Sequence, residues 1–324
     1  MRMAVVDAGS KTVRLFVAEV EWHELSPVHT AKWRLRLVEH VARDGTMSRA
    51  GMDQLAHAVA AACRESRRWG VREPIVFATA VVRDAPNRPR ILEAIGERCD
   101  VPVHLLPGER ESELTYLAAR RWTGRQAGPL VVLDIGGGSF EVAYGDGMTA
   151  DIAVSLPLGA GRLTREHFAC QDPPSPSQVK DLRRYVRGQL TEVSAQVREV
   201  GPRTVVATSR TFDQLSRLCS PDGDGGTAGA RRLHRTPLRR AIKRLKRLPA
   251  ADRARLPGIS AARSAQALAG AIVAETAMRT MEADPVLICP WAIREGVLLQ
   301  AFESPDGTRV SAASAGACLT MPSG

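Results

Sequence analysis

An aspartate, three consecutive glycines, a serine and a glutamate fall within eight residues of the stretch VVLDIGGGSFEV, as Asp134, Gly136, Gly137, Gly138, Ser139 and Glu141. Carboxylates are hard oxygen ligands of the kind Mg²⁺ takes, one or two at a time, with waters and phosphate oxygens completing its octahedron. Glycine frees the backbone to turn its N–H groups together onto an anion, and the missing side chains let that anion come near. Such a set can bind a phosphate with its cation. An ordinary glycine-rich hairpin would carry the same three glycines, so the motif alone does not decide the matter.

The N-terminus repeats the pattern. AVVDAGSKTVRLFVAEV runs from an apolar strand ending in Asp7, through the small-residue turn Ala8-Gly9-Ser10, into a second alternating strand. Asp7 and Asp134 stand 127 positions apart. A repeat at that distance suggests two copies of one structural unit, hence two lobes facing each other. Two glycine–serine turns, each beside a strand-end aspartate, can clamp a phosphate chain and its metal ion.

These motifs must be held by strands and helices, and the chain has the punctuation for an α/β protein. Residues 1–124 alternate strands and helices and close on a helical run from Glu111 to Trp122. The stretch Gly124–Gly128 reads as a hinge into a second domain, 125–304. There PPSP precedes a helix expected over Ser177 to Val197, and SPDGDGGTAGA (Ser220 to Ala230) reads as a loop. Residues 305–324 turn small and polar and read as a loose tail.

Bulk properties narrow the class. The 324 residues suffice for two domains with their own cores. No run of eighteen apolar residues offers a membrane span, and the opening MRMAVVDAGS is already strand rather than signal peptide, so a cytoplasmic location is the expectation. Six scattered cysteines without a C-x-x-C pair argue against zinc and against a disulfide framework, and the seven histidines show no metal spacing. The net charge of +10 is concentrated: RRLHRTPLRRAIKRLKR, Arg231 to Arg247, holds nine Lys/Arg and no acid. Leu238, Ile242 and Leu245 recur at helical spacing, which predicts an amphipathic helix with a basic outer face. That face is either a plain solvated surface or a guide for a long polyanion. Basic patches do not distinguish polyanions, but no nucleic-acid-reading module is present.

In order along the chain, VVDAGSKTVRL, FATAVVRDAPN, LPGERESELTYLAARRW, LDIGGGSFEV, SLPLGAGRLTREHF, VVATSRTFDQLSRL, GISAARSAQALAGAIVAE and ICPWAIREGVLL carry a resemblance. They are similar to the exopolyphosphatase / guanosine pentaphosphate phosphohydrolase family, most of all to its short actinobacterial type. The ordered blocks run from residue 1 to about residue 300. The resemblance implies two ribonuclease-H-like domains of the actin-like ATPase class (sugar kinase, Hsp70, actin), with an active site in the cleft between them. It implies release of terminal phosphate from inorganic polyphosphate, from guanosine pentaphosphate, or from both, by water with Mg²⁺. It also suggests a homodimer.

Residue by residue, Glu111 in GERESEL matches the family's catalytic glutamate, a general base or water-positioning group. A helix dipole alone would also favour a carboxylate in that first turn. Asp134 is implied as a direct Mg²⁺ ligand, Glu141 as a ligand of Mg²⁺ or of its waters, and Asp7 as a support behind them. Gly9, Ser10, Lys11, Gly136, Gly137, Gly138 and Ser139 would face phosphate. Arg83 matches the family's pocket arginine, a group suited to bidentate phosphate contact, with a surface ion pair to Asp84 as the plainer alternative. Arg162, Arg294 and Glu295 read as structural, with Gly296 allowing a turn. The family's pattern is broken at three places. Lys11 stands where asparagine is usual, Ala80 where serine is common, and Arg110 where an acid is usual. A cation beside Glu111 would favour its ionised form.

Two other readings compete. One is a catalytically weak or inactive member that binds polyphosphate or guanosine alarmones. The other is a kinase of the same superclass, disfavoured because VVATSRTF lacks the glycine pair of an adenosine site. A P-loop is missing, and GGGS leads into a strand rather than the helix of a Rossmann fingerprint.

Overall fold

Alternation along the first strands sends successive side chains into different layers. In β1 (Arg2–Ala8) and β2 (Thr12–Glu21), Ala4, Val6, Ala8, Val13, Leu15 and Val17 join one buried cluster with Leu55, Val59 and Ala62 of α1 (Arg49–Arg68). Asp7 lies in the other set. The computed structural model describes all residues except 22–23, 36, 43, 169–170, 221–229 and 304–324. The loop expected after Ser220 and the tail expected after residue 304 fall largely outside the described residues.

The chain continues through β3 (Glu24–Arg34), β4 (Ile75–Ala78), α2 (Ala80–Arg83), α3 (Arg88–Gly96), β5 (Val103–Leu105) and α4 (Gly108–Thr123). The first sheet has the order β3-β2-β1-β4-β5. Its first three strands are antiparallel and β1, β4 and β5 are parallel.

Beyond α4 come β6 (Leu130–Ile135), β7 (Phe140–Gly145), β8 (Ile152–Leu156), α5 (Ala160–Phe168), α6 (Pro176–Gln189), α7 (Thr191–Val200) and β9 (Thr204–Ala207). They are followed by α8 (Ser209–Cys219), β10 (Arg232–Leu233), α9 (Arg235–Leu245), α10 (Ala250–Arg253), α11 (Ala267–Thr280), β11 (Val286–Ile288) and α12 (Ile293–Glu303). The second sheet runs β10-β11-β9-β6-β7-β8. Taken from β8, it repeats the order and strand directions of the first and adds β10 at the edge. The expected fold is thus observed: two α/β units, each on a ribonuclease-H-like sheet as in the actin-like ATPase class.

The units are Met1–Leu114 with the chain from Ile293, and Thr115–Ala292. The chain changes unit inside α4 and again after Ala292, and α12 joins the first unit by packing on β1 and β2. Gly296 does not form the turn expected of it. It lies inside α12, where a Cβ would stand 1.9 Å from the Leu114 carbonyl oxygen, so close approach of backbone and not a bend requires glycine. The single helix expected over Ser177 to Val197 is two, α6 and α7, separated at Leu190. The Thr191 hydroxyl donates to the Arg187 carbonyl at 3.1 Å, and back-bonding of this kind bends helices.

Candidate functional site

In the second unit the β6–β7 hairpin sets Asp134 directly opposite Glu141. Opposed residues of an antiparallel pair share a face, with Cβ atoms about 5 Å apart. That face also carries Leu130, Val132 and Ala143, packed by Tyr116 and Ala119 of α4. Glu141 is only 6% exposed. Ser155 Oγ donates to Glu141 Oε1 at 2.9 Å. Thr208 Oγ1 donates to Asp134 Oδ2. Thr208 is fully buried, and its own N–H is fixed to the Leu133 carbonyl at 2.9 Å. The next residue, Ser209, has φ of 72°, a left-handed conformation that a non-glycine residue holds only where its surroundings impose it.

The glycines close the hairpin, Gly136 N donating to Ser139 O at 2.9 Å. Behind them lies the start of α5. Ala160 N donates to Gly136 O at 3.1 Å and Arg162 N to Gly137 O at 2.9 Å. These bonds satisfy donors that a helix N-terminus otherwise leaves open. In a trans peptide the N–H points opposite to the C=O it shares a plane with. With the Gly136 and Gly137 carbonyls on α5, the N–H groups of Gly137 and Gly138 therefore point away from it, as an anion site needs. The packing is close enough to demand glycine just before α5: a Cβ on Gly159 would lie 2.2 Å from Gly138 C.

The first unit repeats the hairpin with different charges. Gly9 N donates to Thr12 O at 3.1 Å, the bond that Gly136 makes to Ser139, and Lys11 O accepts from Leu35 N at 2.8 Å. Gly9, Ser10 and Lys11 form the turn. Opposite Asp7, however, stands Arg14. Burial raises the Asp7 pKa above the ordinary carboxylate value, opposed by the charges of Arg294 and Arg14 and reinforced by Glu295. The Arg294 guanidinium lies 5.6 Å from the Phe16 ring centroid and 3.8 Å from Glu295. Arg294 and Glu295 thus reach the charged end of the β1–β2 hairpin, which the sequence did not disclose.

Glu111 sits in the first turn of α4, 7% exposed. Arg83 Nη1 donates to Glu111 Oε1 at 2.5 Å and to Leu106 O at 2.9 Å, while its Nε donates to Asp84 at 2.8 Å. Burial works against the Arg83 charge, but Asp84 and Glu111 more than offset it and its pKa rises. The ion pair with Asp84, the plainer alternative, is therefore present, and Glu111 is a second partner that the sequence did not announce. Arg110 pairs with Glu113, one helical turn on. Arg83 lies against Glu111.

Thr208 and Ser155 escaped the sequence reading. A signal existed for Thr208: FATAVVRD and VVATSRTFD each place Ala-Thr after a strand, and Thr79 and Thr208 hold nearly identical backbone angles, φ −107° and −108° with ψ −163° in both.

The Asp134–Glu141 pair fits a divalent cation. Like charges opposed across a strand pair repel, and a hard dication resolves that repulsion. Among the described residues no group of three or more His, Cys, Asp or Glu side chains is placed to hold a metal ion. No helix of the described residues is long and apolar enough to cross a membrane.

The model of the Ppx/GppA phosphatase family matches residues 16–304. An uncharacterised protein of Streptomyces coelicolor is 56% identical over 305 residues, 94% of this chain and 91% of that one. Exopolyphosphatase 1 of Mycobacterium tuberculosis is 42% identical over 312 residues, covering 95% of this chain and 90% of its own length. Among solved structures, the Aquifex aeolicus PPX-GPPA enzyme superposes with a TM-score of 0.78 at 25% identity, over 92% of this chain and 99% of that one.

Proposed function

The chain belongs to the Ppx/GppA phosphatase family, a hydrolase of phosphoanhydride bonds, and on that premise we propose that it releases terminal orthophosphate from inorganic polyphosphate by Mg²⁺-assisted attack of water. The observation that carries this reading is the hairpin end of the second unit. Two opposed carboxylates stand beside a turn without side chains, whose Gly137 and Gly138 N–H groups point away from the helix behind it.

Asp134 and Glu141 would hold Mg²⁺, with Thr208 and Ser155 fixing one oxygen of each carboxylate. When bound, the cation supplies charge neutralisation and Lewis-acid polarisation of phosphate oxygens. Glu111 accepts a proton from water as the water oxygen bonds to the terminal phosphorus and the bridging P–O bond breaks. The proton then passes to the leaving phosphate. Arg83 is paired with the Glu111 carboxylate and has a planar fork suited to phosphate oxygens. Gly9, Ser10, Lys11 and Gly136 to Ser139 bind phosphate, and Asp7 supports the first hairpin. Guanosine pentaphosphate presents the same terminal phosphoanhydride chemistry and belongs in the same assay.

The test is phosphate release from tripolyphosphate, long-chain polyphosphate and guanosine pentaphosphate, with Mg²⁺ and with chelator. Glu111→Gln keeps the shape and removes the base, and its rate should fall by about 10² to 10⁴ while polyphosphate still binds. A variant keeping more than half the rate would remove Glu111 from the chemistry. Binding without release by the native protein would make the chain a sensor rather than an enzyme.

A further inference from the structure

The helix α9 buries Leu238, Ile242 and Leu245 and exposes Arg239, Arg240, Lys243 and Arg244, with Lys246 and Arg247 exposed just beyond it. Elsewhere in the second unit several arginines meet an acid within a turn, as Arg184 with Asp181, Arg217 with Asp213 and Arg255 with Asp252. Along α9 this does not happen. None of the six exposed cations has a carboxylate in ion-pair reach among the described residues, and the sequence from Arg231 to Arg247 contains no acid to supply one. Arg235, at the start of the helix, is the exception, 3.3 Å from Glu275 of α11. Like charges at i and i+4, as Arg239–Lys243 and Arg240–Arg244, cost a helix some stability. A partner with many negative charges removes that cost.

The direction of α9 says where such a partner leads. At its beginning, Arg235 N bonds Asp284, just ahead of β11, at the opposite end of the sheet from the triglycine turn. At its end, the Leu245 carbonyl accepts from Arg253 Nε at 3.0 Å, and Arg253 Nη1 reaches the Ala265 carbonyl at 3.4 Å. The neighbouring Gln266 lies 3.2 Å from the Cβ position of Gly161, itself 3.0 Å from Gly137 O. The helix, about 16 Å long at 1.5 Å per residue, thus climbs antiparallel to α11 and ends on the side of the unit that carries the turn.

We propose that the exposed face of α9 is a docking strip for the distal part of a long inorganic polyphosphate whose terminal phosphate occupies the triglycine turn. The inference rests on the reading of that turn as a phosphate site. A nucleic acid is the other polyanion to weigh. Single strands are gripped by stacking bases on aromatic side chains, and Arg231 to Arg247 contains no Phe, Tyr or Trp. A uniform line of cations suits a chain that is charge throughout.

The experiment replaces Arg239, Arg240, Lys243 and Arg244 with glutamine in the full chain. All four are exposed, so the core beneath is untouched. Affinity for long-chain polyphosphate, read by competition against a fluorescent polyphosphate in chelator, should weaken roughly tenfold, and its salt dependence should flatten as released counterions fall in number. KM for tripolyphosphate should stay within about twofold, with kcat unchanged for both, because a short chain fills only the turn. Equal losses for short and long chains, no loss for either, or tighter native binding of a single-stranded DNA of matched charge would each overturn the strip. These outcomes are separable from the hydrolase reading. Hydrolysis with no chain-length effect of the variant sinks the strip alone, and lost binding by the variant of a protein that never hydrolyses sinks the enzyme alone.

Discussion

Replacing Gly159 with alanine tests whether the triglycine turn sits at the reacting centre. The added methyl would stand 2.2 Å from Gly138 C, 2.4 Å from Ser139 N and 2.5 Å from Gly138 N, all backbone atoms with no rotamer to change. Ordinary contact begins at 3.4 Å, so the turn and α5 must part by about 1 Å. The hydrogen bonds from Ala160 and Arg162 to the turn would stretch with them. Overpacking of this kind costs on the order of 1–3 kcal/mol, which a two-domain protein tolerates without unfolding. A displacement of about 1 Å at a reacting centre, by contrast, costs about 10²-fold in rate. The assay pairs phosphate release with urea denaturation, and Gly147→Ala serves as control because nothing lies within 4 Å of its Cβ position. Gly159→Ala should remain folded and lose about two orders of magnitude in rate, the control neither. A folded Gly159→Ala with half the native rate would place the chemistry away from this turn.

Thr208→Val removes the hydroxyl that holds Asp134 while keeping the buried shape, and should raise the Mg²⁺ concentration for half-maximal activity roughly 10- to 100-fold. Thr208→Ser should restore it, and a serine variant as impaired as valine would assign Thr208 to packing alone. Asp7→Asn is expected to stabilise the protein at neutral pH. Burial raises the Asp7 pKa in the folded state, so the stability linked to its protonated form is present below the unfolded value near 3.8 and is lost as pH rises through the folded value. Asparagine removes that loss. The stabilities of variant and native protein should converge in acid, and a midpoint lowered at pH 7 would show that the attractions of Arg14 and Arg294 outweigh burial.

Much of this arrangement is written locally. The strand–turn–strand grammar around Asp7 and Asp134 needs only alternation and small residues, and both hairpins form with the same turn hydrogen bond. Glu111 falls in the first turn of α4 because Pro107 and Gly108 begin the helix just before it. What the sequence conceals is whatever depends on chain ends meeting. Thr208 reaches Asp134 across 74 positions, Arg83 reaches Glu111 across 28, and Arg294 approaches Asp7 only because α12 returns to β1. Gly296 looked like a turn residue because nothing in IREGVLL announces that the Leu114 carbonyl will press on it.

The two hairpins share a backbone and differ in charge. Strand register, turn bond and the following Ala-Thr are alike in both, so backbone geometry does not distinguish them. One position does. Opposite the strand-end aspartate the first copy has Arg14 and the second Glu141. In the first, Arg14 and Arg294 already counter the charge of Asp7, and a dication would meet two guanidinium groups as well as a carboxylate. In the second, two carboxylates on one face gather the negative charge that attracts a dication, and each is oriented by a hydroxyl, Thr208 or Ser155. On the proposed reading, the same hairpin would favour anions by its cations in one unit and through a metal ion in the other. Arg14 and Glu141, more than the glycines both copies share, are the residues that decide which.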